Sequence, residues 1–222
     1  MNQGQPATSA PAVTASQGRH EGQSSAAAPR PNPQTANSQA SSSSSLGFLT
    51  VLEHEQYGLV GGYLLLNCAG RPLEFHCTAP VKPNRAQQIL FGPTLMPYLY
   101  GEQIGQALVT KSPLAPLVVW TDVEAALAVR DYVSLPVALV IGAEAPPAST
   151  AMTSMWRVDA AHAVSTHLNP FTLGRNRLAV SHRRDDDRQT ILAQSENLGE
   201  FDLCEPFERI REAVEEAHKG AR

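Results

Sequence analysis

Apolar positions along this chain fall into runs whose spacing changes from one part to the next. From Leu46 to Cys77 they read as three strands of an antiparallel meander. Phe48 to Leu52 opens it, rich in the β-branched and aromatic residues that pleated surfaces favour. Gln56-Tyr57-Gly58 marks a turn, and Leu59 to Asn67 returns, with Gly61-Gly62 as an expected bulge or kink. Asn67-Cys68-Ala69-Gly70 fits a type I turn with Gly70 in the left-handed position. That hairpin sets Leu65 opposite Leu73 and Tyr63 opposite Phe75, so that Tyr63, Leu65, Leu73, Phe75 and Cys77 share a core face.

Helical spacing follows. Asn84 is a good N-cap for a short helix from Arg85 to about Phe91, stopped by Gly92-Pro93. Thr94 caps a second helix that runs through Leu99, Ile104 and Leu108. Beyond Leu114 the polar alternation disappears. Leu117 to Trp120 and Leu135 to Ile141 are unbroken apolar runs, joined by a helix from Val123 that Thr121-Asp122 can cap. Strand, short helix and strand without alternation indicate a buried parallel βαβ unit.

Further on, Val158 to Leu168 fits a short helix. Arg175 to Arg183 and Gln189 to Gln194 fit a hairpin that turns at Arg184-Asp-Asp-Asp187. The last helix starts at Asp202-x-x-Glu205, a capping-box-like signal with Pro206 in the first turn. Leu203, Phe207, Ile210, Val214 and Ala217 give it a narrow apolar stripe that packs on the sheet, with Glu208, Arg211, Glu212 and Glu215 opposite. The fold class is α+β: a meander, helices, a short βαβ element, a further β-hairpin and a C-terminal amphipathic helix.

Composition separates off the first 45 residues. They hold no aromatic residue and one branched aliphatic, Val13, among Ala, Ser, Gln, Pro, Gly and Thr. Such a segment has too little apolar surface to offset its ordering entropy, so a disordered tail is expected. It has no apolar core of a secretory signal. Residues 46–222 are then a single domain, with 46–141 as the main sheet and helices and 151–222 as a second layer.

Charge narrows the partners. Of the 17 basic and 21 acidic residues, the tail holds Arg19, Arg30 and Glu21, which leaves 15 against 20, a net charge of −5. An acidic domain without a basic stripe argues against nucleic acid, and the apolar runs are too short to span a membrane. Cys68, Cys77 and Cys204 are odd in number and lack a C-x-x-C spacing, which fits free thiols in the cytoplasm. Cys77 is expected in the core.

Candidate chemistry is sparse. Glu53 and Glu55 can converge on one face of a strand while His54 points away, as a metal or acid–base pair would need. His76-Cys77 cannot make a nucleophile–base pair, because adjacent strand residues face apart. Arg175, Arg177, Arg183 and Arg184 concentrate positive charge in the expected hairpin, a candidate anion site. The carboxyl ends of the parallel strands would present Trp120, Thr121, Asp122 and Gly142. Dinucleotide, P-loop and nucleophile-elbow motifs are missing.

These features favour a non-catalytic interaction or assembly module. Its partner would be a protein or a second copy, with no cofactor, metal, nucleic acid or membrane. The alternative is a small-molecule or anion-binding enzyme with a pocket near Asp122 and the Arg-rich hairpin. A third reading is a metal-dependent hydrolase using Glu53, Glu55 and a histidine.

Overall fold

The computed structural model describes residues 44–142, 156–157, 167–194 and 198–219. The expected tail, the loop after Gly142 and almost all of the expected 158–168 helix lie outside the described residues. Described residues belong to one compact unit, 40–222.

The class is α+β. Strands β1 (Ser45–His54), β2 (Gly58–Asn67) and β3 (Pro72–Cys77) form the antiparallel meander. β4 (Val118–Thr121) runs parallel to β1, and β5 (Val137–Ile141) runs parallel to β4. β6 (Trp156–Arg157) pairs antiparallel with Glu53 and His54, where β1 extends past the reach of β4. β7 (Leu168–Leu173) and β8 (Asn176–Ser181) form a hairpin that joins β5 through β8. The main path across the sheet is β3-β2-β1-β4-β5-β8-β7.

Among the described residues four helices accompany it: α1 (Arg85–Phe91), α2 (95–111), α3 (Asp185–Gln194) and α4 (Glu205–Lys219). α1 starts as expected. Asn84 Oδ1 accepts from the Gln87 amide at 2.8 Å, and the Gln87 side chain accepts from the Asn84 amide at 2.9 Å. α2 is wound as a π-helix from Tyr98 to Gln106, and the Thr94 hydroxyl does not cap it but donates to the Phe91 carbonyl.

Alternation along β1 divides the core between the two faces of the sheet. Leu46, Phe48 and Leu52 join Trp120, Leu203, Phe207, Ile210 and Val214 on the α4 side. Leu49 and Val51 join Tyr63, Val119, Leu99, Ile104 and Leu108 on the α2 side. Both helices close on β2, at Gly61-Gly62. A Cβ at Gly61 would stand 2.1 Å from Ile104 Cγ2, and one at Gly62 2.3 Å from Ile210 Cγ2. No bulge interrupts the β1–β2 register there, so the glycine pair serves close approach on both faces rather than a kink.

Four other expectations need correction. The Asn67 turn forms, with its amide donating to the Arg71 carbonyl at 3.0 Å, but a register shift between Leu65 and Leu66 moves the pairs to Leu65↔Glu74 and Tyr63↔His76. One extra residue exchanges the faces of β3. Leu73, Phe75 and Cys77 are therefore exposed, and Cys77 is no core thiol. Between β4 and β5 runs a 3-10 segment, Glu124–Asp131, whose N-cap is Val123; Asp122 caps nothing. The hairpin is also displaced: its strands are β7 and β8, and 185–194 is α3 because three aspartates fill its first turn, where the helix dipole favours negative charge.

α4 packs on its own sheet, since Leu203, Phe207, Ile210 and Val214 are buried, with Phe207 edge-on to Phe48 at 5.6 Å. Phe207→Ala should therefore cost about 3–5 kcal/mol. A denaturant midpoint that falls equally at low and high protein concentration checks this.

Candidate functional site

Two polar centres lie near the parallel strands. The first is at the carboxyl end of β4. Leu49 pairs with Thr121, so Thr50 and Asp122 come next in register and share the α4 face. Arg211, on α4, reaches down from the supposed solvent side and its Nη2 donates to Asp122 Oδ2. The Asp122 side chain keeps 12% of its exposure. Asp122 Oδ1, Arg211 Nε and Thr50 Oγ1 are buried without a hydrogen-bond partner among the described residues. Burial pushes the Asp122 carboxyl up, against the pull of the Arg211 guanidinium and of the nearby Thr50 hydroxyl. The Thr50 hydroxyl acts there by proximity, since it makes no hydrogen bond of ordinary geometry.

The second centre is a cleft of about 700 Å³. One wall is the 3-10 segment, contributing Glu124, Arg130 and Asp131. The other is the start of β7 and the turn after β8, contributing His167, His182, Arg183 and Arg184. A bidentate pair joins the walls. Arg130 Nε and Nη2 both donate to the Asp187 carboxylate at 2.8–3.0 Å, while Arg130 Nη1 donates to the Val133 carbonyl. Asp187 also accepts from the Val137 amide at 3.3 Å, which ties α3 to the start of β5. Arg130 is thus committed to the scaffold. Arg184 pairs with Asp131 at 3.0 Å in a setting open to solvent, a contact of little strength. Arg183 is exposed and has no ion pair among the described residues.

At the rim, a short relay fixes one histidine. Asn169 Nδ2 donates to Asp185 Oδ1 at 2.9 Å, and Asn169 Oδ1 lies 2.5 Å from His182 Nδ1. Because a carboxylate only accepts, the amide's orientation is set, and its oxygen requires a donor. In the neutral imidazole this contact puts the His182 proton on Nδ1 and the lone pair on Nε2.

The sequence candidates are only partly brought together. Arg183 and Arg184 reach the cleft, whereas Arg175 and Arg177 lie at the opposite end of β8, where Arg175 pairs with Asp202 at 3.2 Å. Asp122 immediately precedes the cleft residues Val123 and Glu124, yet faces the other side of the sheet. Glu74 and His76 are on β3, with Glu74 Oε2 accepting from Ser112 at 2.7 Å and from His76 at 3.1 Å. The Ser112 hydroxyl and then His76 hold the Glu74 carboxyl below its ordinary range. His54 is buried, and its Nδ1 accepts from the Gln56 amide at 3.1 Å, so it closes the β1–β2 turn. Among the described residues no three His, Cys, Asp or Glu side chains gather to hold a metal ion. His182 was missed in the sequence. Asn169 stands 13 positions from His182 and 16 from Asp185, so no local spacing reveals the residue that links them.

No family model matches the chain, and no curated protein does. Solved structures do show similarity. Human endonuclease V aligns at 15% identity over 82% of this chain and 87% of that one, with a TM-score of 0.43. Ciona intestinalis endonuclease V, in complex with a 24-mer DNA containing an inosine followed by a ribo-adenosine, aligns at 16% identity with a TM-score of 0.28. That match covers 44% of this chain and 45% of the other. These neighbours stand against the expectation of a non-catalytic interaction module and of a chain with no nucleic-acid partner, which is set aside. At such identities and scores they assign no activity or substrate. No described helix is long and apolar enough to cross a membrane.

The raised Asp122 carboxyl has a consequence for stability. A folded-state pKa above the unfolded one gives stability that is full below the unfolded value and is lost as pH rises through the folded value. Relative to Asp122→Asn, the parent should lose stability across that window. The carboxyl carbon of Asp122, followed by NMR, should titrate above an ordinary aspartate; a midpoint below it would mean that Arg211 outweighs burial.

Proposed function

We propose that the chain is an anion-binding enzyme that takes a phosphate-bearing substrate, of the nucleic-acid class, into the cleft between the 3-10 segment and the 182–184 turn. One observation carries this reading: Arg183 and Arg184 line the same cleft as a histidine whose basic nitrogen is left available. Guanidinium groups suit phosphate because their fork of donors matches its oxygens. The exposed Arg184–Asp131 pair opens at small cost, so both arginines can turn to a ligand. A net charge of −4 over the whole chain confines the attraction to this local surface and not to the molecule at large. The endonuclease V structures agree in class, but the reading rests on the cleft. Three free cysteines fit a reducing compartment such as the cytoplasm.

Fluorescence anisotropy with a labelled single-stranded oligonucleotide, DNA or RNA, across a salt series tests the reading. The full chain should bind at low salt. Replacing Arg183 and Arg184 together by Gln should weaken binding and make the log–log salt slope less negative by about 1.4, from about 0.7 per single-strand phosphate contact. Replacing Arg175 and Arg177 by Gln should change it far less. Absence of binding at low salt, or equal loss from both pairs, would sink the proposal.

A further inference from the structure

We infer that His182 is the proton-accepting group of the cleft, held in its basic tautomer by Asn169 and Asp185; this rests on the cleft being the substrate site. The argument is one of donors and acceptors. Asp185 can only accept, so it takes the Asn169 amide hydrogens and turns the Asn169 oxygen toward the imidazole. That oxygen can only accept, so His182 Nδ1 must donate at 2.5 Å. The ring is thereby fixed with a lone pair at Nε2, on the rim of a cleft that also holds two arginines. An orienting acceptor on one nitrogen and an available lone pair on the other are what a general base requires.

Asn169 and Asp185 are positioning residues, and each comes from a different element: β7 and the first turn of α3. The relay therefore exists only when hairpin and helix are both in place. The backbone reinforces it, since the His182 amide donates to the His167 carbonyl at 2.8 Å and closes the base of the hairpin beneath the ring.

With a phosphodiester in the cleft, the step is hydrolysis. Nε2 takes a proton from a water molecule as the water oxygen bonds to phosphorus. The P–O bond to the leaving oxygen breaks, and that oxygen takes a proton from solvent. The imidazolium returns its proton to solvent, so one water is consumed for each bond cut and nothing is oxidised or reduced. Arg183 and Arg184 would neutralise the charge that gathers on the phosphoryl oxygens.

Two measurements on the full chain test this. Long-range nitrogen–proton NMR of the imidazoles should show His182 protonated at Nδ1. Asn169→Leu, which removes the acceptor, should shift it toward Nε2–H. Then a labelled oligonucleotide, incubated at saturating protein, should be cleaved by the parent and at least about 100-fold more slowly by His182→Gln, the range general-base removal spans. A thermal melt confirms that this exposed substitution leaves the fold intact. A parent tautomer of Nε2–H, equal cleavage by parent and His182→Gln, or binding without cleavage would overturn the inference while leaving the cleft reading standing. Failure of the oligonucleotide to bind at all would instead remove the cleft reading itself.

Discussion

β1 has to be buried on both faces and paired on both edges, and the rest of the architecture follows from satisfying it. Its ten residues exceed what any one parallel neighbour spans, so β4 takes the first half and β6 the end, while β2 lines the whole of the other edge. Both faces then need cover. α2 and the 3-10 segment supply one side and α4 the other, and the two helices come closest where β2 has surrendered its side chains at Gly61 and Gly62. Burying an apolar strand from both sides is the dominant favourable term available to a chain of this kind.

The same double burial explains why Asp122 is unusual. A carboxylate at the end of β4 is carried under α4 by the strand register, where water is scarce and Arg211 and Thr50 are close. Such a pair adds little net stability, because desolvation offsets most of the attraction. It does fix where α4 may lie, since sliding the helix by a turn would leave the carboxylate uncompensated.

How much of this was legible depends on the residue. The meander, the parallel run, the α1 cap and the α4 stripe all rest on local periodicity and turn chemistry, and they could be read. The β3 register could not, because a bulge at Leu65/Leu66 has no composition of its own. Arg184-Asp-Asp-Asp187 looked like a polar turn, when the aspartates are the negative first turn of α3 and one of them, Asp187, is buried against Arg130. Arg130 and Asp187 are 57 positions apart, and Asp122 and Arg211 are 89 apart. Pairings at that separation depend on topology, which periodicity does not encode.

The Arg130–Asp187 pair has a mechanical meaning. It joins the two walls of the cleft by three short hydrogen bonds, and a fourth from Val137 anchors the joint to the central sheet. A jaw hinged shut in this way has its width set before anything enters. The ordering entropy that a loose groove would forfeit on closing around a ligand has already been spent in folding, so selectivity falls to the shape of the opening rather than to its movement.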